Sequence, residues 1–258
     1  MTNVETGADS RPVALITGVG RTAGIGAAIA EQLAAAGWDI AWTFWTPYDR
    51  RMAWGAEDGA RAAIGALIEA HGARSLAVEA DLAEPDTPAQ VFDRVEHDLG
   101  KVTALVLSHA ESVDSGLLDT TPESFDRHFA VNTRASWLLI REFGRRFTGP
   151  FGTGRIIALT SGHTVGNLPY GASKGALDRI TLAAAHELAH LGVTANALDP
   201  GPTDTGWMDD AIRTEVLRQT PLARLGTPQD AARYIAFLCS PAGQWINGQL
   251  LHSNGGFK

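Results

Sequence analysis

The strongest constraint on what this chain can fold into is an alternation. Short runs rich in apolar and β-branched residues, VALIT (13–17), IAWTF (40–44), SLAVEA (75–80), ALVLS (104–108), RIIALT (155–160), VTANAL (193–198) and QLLHS (249–253), are separated by segments of helical spacing near 24–36, 58–71, 87–99, 122–147, 170–190 and 227–239. Strands spaced by helices cannot pair as hairpins, and each helix returns the chain to the starting end of the sheet by a right-handed crossover. The expected fold class is therefore α/β, a single doubly wound parallel sheet with helices on both faces. With 258 residues and 45% hydrophobic content the chain can bury a sizeable core. No stretch reads as an interdomain linker. We expect one domain over residues 11–258, preceded by a mobile tail at 1–10.

The bulk properties exclude several function classes. The formal net charge is −8 and the arginines are scattered, so no face suits duplex nucleic acid. No run approaches the length of a membrane span, and MTNVETGADSRP carries no basic-then-apolar signal pattern. The expectation is a soluble, cytoplasmic protein without a membrane partner. Cys239 is the sole cysteine, which excludes an internal disulfide and a cysteine metal cluster; it reads as core filler, and no metal site is expected.

Ligands of doubly wound sheets sit beyond the C-terminal ends of the strands. After the first run comes TGVGRTAGIG (17–26). Gly18 and Gly20 permit a tight turn, and Gly24 and Gly26 let backbone approach a pyrophosphate and let the next helix pack closely on the sheet, as in a Rossmann-type dinucleotide site. The unpaired amides opening that helix favour an anion. Taken alone the glycines also fit an ordinary strand-to-helix turn; their place after the first strand favours the dinucleotide.

A second constellation is YGASKGALDRI, in which Tyr170 and Lys174 stand four apart at a helix start and so share a face. A phenol titrates near about 10 and works poorly as an acid–base at neutral pH unless a cation stabilises its phenolate. Lys174 supplies that cation.

Together with EADL (79–82), Asn132 in AVNTRAS, TSG (160–162), DPGPTDTG (199–206) and the closing INGQLLHSNGGF, these motifs make the chain resemble the short-chain dehydrogenase/reductase family over nearly its whole length. The resemblance implies that Tyr170 is the proton donor to a carbonyl, that Ser161 hydrogen-bonds the same oxygen, and that Lys174 lowers the tyrosine pKa and holds the nicotinamide ribose. It implies that Asn132 anchors a water relay leading to Lys174. Asp81 and Leu82 would flank the adenine, and Pro200, Gly201, Thr203 and Thr205 would run beside the nicotinamide. The cofactor contacts are completed by Gly18, Gly20, Arg21, Gly24, Ile25, Gly26, Trp45, Ser108, His109 and Ala110. A hydride delivered to a carbonyl carbon leaves charge on oxygen, which the hydroxyls of Ser161 and Tyr170 would neutralise. Read singly, Ser161 fits a loop cap and Asn132 a backbone-satisfying residue in a helix; beside Tyr170 and Lys174 both read as catalytic.

The sequence departs from the family pattern at three places. Gly24 and Gly26 follow Gly18 by six and eight residues, a longer loop that resembles the enoyl-reductase branch, whereas the Tyr170–Lys174 interval is that of carbonyl reductases. The usual Asn-Asn-Ala-Gly after the fourth strand reads Ser108-His109-Ala110-Glu111, and His109 reads as structural rather than catalytic. Ser161 and Tyr170 are nine apart, closer than usual. The eight intervening residues span up to about 27 Å when extended, so the pair can still meet. A low pocket wall and a weak KM for small ketones are expected.

At the end of the second run no carboxylate appears before Asp49, while Arg21, Arg50 and Arg51 are available to a phosphate. This favours NADP(H) over NAD(H), with Asp49 as the candidate ribose ligand in the alternative and a solvated loop as the bland reading of Arg50 and Arg51. The leading expectation is an NADP(H)-dependent reductase or dehydrogenase of a small-molecule carbonyl/alcohol pair, broadly like the 3-oxoacyl reductases. The alternatives are a dinucleotide-binding protein of the same fold that has lost turnover, and an enoyl reductase. Small residues along 170–190 (Ala172, Gly175, Ala176, Ala183, Ala184, Ala185, Ala189) suit close helix packing. In the resembled family that helix lies in a subunit interface, so a homotetramer or homodimer is expected.

Overall fold

The structure is a computed structural model and describes residues 11–257; the tail expected at 1–10 lies outside the described residues. Along the chain run β1 (Val13–Thr17), α1 (Ile25–Ala35), β2 (Asp39–Phe44), α2 (Thr46–Arg51), α3 (Ala60–Glu69), β3 (Ser75–Glu79), α4 (Thr87–Asp98), β4 (Val102–Leu107) and α5 (Pro122–His128). A π-helical segment at Phe129–Ala135 leads into α6 (Ser136–Arg146). Then follow β5 (Arg155–Leu159), α7 (Leu168–Glu187), β6 (Thr194–Asp199), α8 (Asp210–Gln219), α9 (Pro228–Cys239) and β7 (Leu250–His252).

The strands form one parallel seven-stranded sheet in the order β3-β2-β1-β4-β5-β6-β7. The order reverses between β1 and β4, which opens a crevice at their C-terminal ends. Continuous apolar runs are what a sheet covered on both sides requires, and every residue of β1 is buried. Its alternate side chains divide between two cores: Ala14 and Ile16 pack with α1, α3 and α9, while Val13 and Leu15 pack with α4, α6 and α7. This is the doubly wound architecture expected from the alternation.

Two expectations needed correction. The pattern over 122–147 reads as one helix, but a π-helical segment interrupts it and carries buried Val131 and Asn132. α2 and α8 were not anticipated. α2 buries no side chain and α8 buries only Val216, so neither carries the apolar stripe by which a helix is read from sequence.

Candidate active site

The residues singled out from sequence gather at the C-terminal end of the sheet, on the segments following β1 to β6. The turn after β1 needs its glycine. Gly18 has φ +76°, and a Cβ there would lie 2.5 Å from the His109 Cα, so this turn and the segment after β4 touch backbone to backbone. α1 then begins at Gly24 with no side-chain cap and no acid in its first turn, leaving its opening amides free for an anionic group. That combination fits a dinucleotide pyrophosphate.

His109 locks this corner. Its Nε2 donates to the Val131 carbonyl at 3.0 Å, which makes Nδ1 the acceptor for the Thr17 hydroxyl at 2.6 Å. The Thr17 oxygen in turn accepts from the Ser108 amide. Burial, with the Lys174 charge second, pushes the imidazole down to about 3, so it is neutral. With both ring nitrogens engaged inside the protein, His109 can offer a ligand only its backbone. Asn132 is likewise occupied: its Nδ2 donates to the Glu111 carbonyl and to the Ser173 hydroxyl, each at 2.9 Å, and its Oδ1 accepts from the Glu111 amide at 2.7 Å.

α7 carries Tyr170 and Lys174. Lys174 is only 2% exposed, and its Nζ donates to the Leu159 carbonyl at 2.8 Å, on the strand that leads to Ser161. Desolvation pulls its ammonium down to about 8, opposed by Asp178 one turn further along. Nζ stands 5.7 Å from the centre of the Tyr170 ring. The phenol is not lowered, contrary to expectation. Burial, reinforced by the Asp199 charge, pushes it up to about 12, and only the Ser161 side chain pulls the other way. The physical reason is burial of the phenol, which outweighs the Ser161 hydrogen bond; the Lys174 ammonium is bonded to the Leu159 carbonyl.

The short segment 162–169 is anchored. Asn167 Nδ2 donates to Ser112 Oγ at 3.0 Å and Asp114 Oδ1 at 2.6 Å, and the Leu168 amide donates to the Ser115 carbonyl at 2.9 Å. His163 on this segment stands edge-on to Tyr170, ring centres 6.5 Å apart. After β6, Asp199 accepts from the Gly201 and Gly162 amides and so fixes the Pro200–Gly201 turn against the segment carrying Ser161. Thr203 and Thr205 are buried there. Arg21 reaches across from the glycine turn to the Thr205 carbonyl at 3.0 Å and lies over the Trp54 ring, 4.5 Å from its centre. Asp81 caps the turn after β3 through the Ala83 amide at 2.9 Å, and Leu82 is buried beside it.

The arginines proposed for a phosphate are not equivalent. Arg51 is paired with the carboxylate of Glu111, which Arg127 also contacts at 3.2 Å. Arg50 is exposed, and among the described residues it makes no ion pair. Asp49 accepts from Trp54 Nε1 at 3.1 Å, and its carboxylate lies against Gly20, 2.3 Å from where a Cβ would stand. Glu111, Arg127 and Trp54 were not anticipated; the signal for Glu111 was the glutamate where the resembled family has glycine.

A family model described as enoyl-(acyl carrier protein) reductase matches residues 18–258. The chain is 40% identical to the uncharacterized oxidoreductase YjdA of Bacillus subtilis over 250 residues, 95% of this chain and 96% of that protein. A blue fluorescent protein from a metagenomic library, crystallised with NADPH, superimposes with a TM-score of 0.84 at 34% identity, covering 95% of this chain and 97% of that one. A short-chain dehydrogenase from Burkholderia cenocepacia in complex with NADP superimposes with a TM-score of 0.83 at 34% identity, covering 96% and 97%.

Proposed function

The chain belongs to the short-chain dehydrogenase/reductase family of oxidoreductases, and on that premise we propose that it is an NADP(H)-dependent reductase of a carbonyl/secondary-alcohol pair, of the 3-oxoacyl reductase kind. The observation that carries this reading is the grouping of Tyr170 and Ser161, whose side chains interact, with the buried Lys174 ammonium one helical turn along and 5.7 Å from the Tyr170 ring centre. NADP(H) is supported by the NADPH and NADP held by the two structural neighbours and by a β2 that ends in Thr43-Phe44-Trp45 with no carboxylate.

The glycine turn and the free amides of α1 would hold the pyrophosphate. Trp45, Asp81 and Leu82 would border the adenine, the backbone of 108–110 would border the adenine ribose, and residues 200–205 would border the nicotinamide. Arg21 and Arg50 remain candidates for the 2′-phosphate. A nicotinamide bound there would supply the hydride. Tyr170, kept protonated by its surroundings, donates its proton to the carbonyl oxygen, and Ser161 donates a hydrogen bond to the same oxygen. Lys174 stabilises the phenolate left behind, and Asn132 holds the backbone beside this chemistry.

Enoyl reduction is favoured by two observations, the long glycine turn and the description of the matching family model. Following NADPH absorbance with ketone, 3-oxoacyl thioester and enoyl thioester substrates decides between the readings. Turnover of the enoyl substrate alone overturns the carbonyl reading, and nucleotide binding without any turnover leaves a binding protein.

Assembly with a second copy is part of the same proposal. Exposed Phe125 and Trp137 flank a concavity of about 470 Å³ lined by Phe129, Ala130, Thr133 and Ile180, on the outer face of the π-helical segment and α7. Light scattering at micromolar concentration tests it, and a monomer refutes it.

A further inference from the structure

Glu111 stands where the family pattern has glycine, and it is 2% exposed. A buried carboxylate is costly unless it is paired, and this one is paired twice, with Arg51 from α2 and Arg127 from α5. Its backbone makes the reciprocal pair of hydrogen bonds with the Asn132 side chain. One residue therefore joins the segment after β2 to the grip on Asn132.

The segment from 45 to 59, which includes α2, lies over the glycine turn as a strap. Asp49 packs on Gly20, and Trp54 donates to Asp49 while lying under Arg21. Glu57 accepts from the Thr22 amide at 2.9 Å and from its hydroxyl at 2.7 Å. Tyr48 lies under the Arg51 guanidinium, 4.9 Å from ring centre to Cζ. The strap thus touches the turn that would cradle the pyrophosphate through Asp49, Trp54 and Glu57, and Glu111 through Arg51.

We propose that Glu111 is a positioning residue: its carboxylate, clasped between Arg51 and Arg127, fixes the backbone that holds Asn132 and ties that backbone to the strap, so that seating the nucleotide and aligning the reacting end are coupled. The inference rests on the reductase reading above and removes Arg51 from the set of phosphate ligands.

The test compares Arg51→Met and Glu111→Gln with the wild type, using NADPH and NADH in parallel, by turnover and by nucleotide fluorescence. A clasp predicts that kcat falls about tenfold in either variant, since small misplacements near reacting groups are costly. The dissociation constants of both nucleotides should rise by a common factor, leaving the NADPH/NADH ratio unchanged. The double variant should be no worse than the worse single one, because both break the same link. A loss confined to NADPH makes Arg51 a phosphate ligand and overturns the proposal, as does unchanged kinetics. If Glu111→Gln fails to fold, Arg51→Met still decides, because Arg127 remains on Glu111. A wild type that binds NADPH and reduces nothing overturns the reductase reading alone, and the common factor in nucleotide binding then judges the clasp.

Discussion

Two buried charges face the crevice and are treated in opposite ways. At Glu111 the carboxylate is held by two guanidiniums, each more than a third exposed, so the network keeps one foot in water. At Lys174 the ammonium has one carbonyl for a partner, and among the described residues it forms no ion pair. Compensated charge of the first kind fixes geometry. Charge left short of partners has a displaced pKa, and that is the condition for moving protons near neutral pH. On the proposed function, the first charge belongs to the framework and the second to the chemistry.

The largest effect expected from it is at the chemical end. Tyr170→Phe should lower turnover by about a hundredfold or more while NADPH binding survives, as steady-state rates and fluorescence titration would show. Near-normal turnover would remove the tyrosine from the reaction. The pH profile sharpens the same point. Lys174 supports the phenolate only as an ammonium, so carbonyl reduction should proceed below about 8, where the lysine is charged, and fall as the pH rises through that value. A rate flat across that window means that the lysine charge is not used.

At the clasp the asymmetry of exposure sets the order. Removing both arginines strands a buried carboxylate and should cost about 3 kcal/mol or more in denaturant unfolding, whereas Glu111→Gln frees guanidiniums that can rehydrate and should cost less. Equal costs would break the comparison.

Lys174→Met should move stability the other way. Between about 8 and the ordinary lysine range the unfolded chain binds a proton that the folded chain does not, so stability rises with pH there; below about 8 the folded chain carries the cost of a desolvated ammonium. Removing the group should raise stability at pH 7 by about 1–2 kcal/mol while turnover is lost. A lower Tm would mean that the bond to Leu159 outweighs the desolvation. The smallest effect belongs to exposed pairs such as Arg218–Glu215, where Arg218→Ala should leave Tm unchanged.

What could be read from the sequence follows from where each signal lives. β1 was bounded to the residue because it is apolar on both faces and ends at a glycine turn. α2 was missed because a helix that buries nothing leaves no period. The π-helical segment was missed because a local widening of the helix leaves the apolar pattern on either side nearly intact. That Tyr170 and Lys174 share a helix face is legible because they stand four apart on one helix, whereas Ser161 is legible only through the resemblance to the family. Arg51 and Glu111 are 60 residues apart, and nothing local announces that they meet, so from the sequence Arg51 reads as a cation available to a phosphate. The direction of the Tyr170 shift is likewise invisible in the sequence, since it depends on how deeply the fold buries the phenol and on Asp199 arriving from another strand.

The seam between β1 and β4 has a consequence for how the molecule forms. Thr17 pairs with Leu107 there, whereas β2 and β3 pair at Ile40 with Ser75 and β5 and β6 at Arg155 with Thr194. Closing the seam joins the most distant neighbours in the sheet, and loop-closure entropy must be met before those contacts reward it. The two halves can each assemble from nearer pairings and meet last along this line. The dinucleotide crevice lies across that same line, so a nucleotide bound there stabilises the junction between the most distant neighbours in the sheet and withdraws the native state from unfolding by mass action.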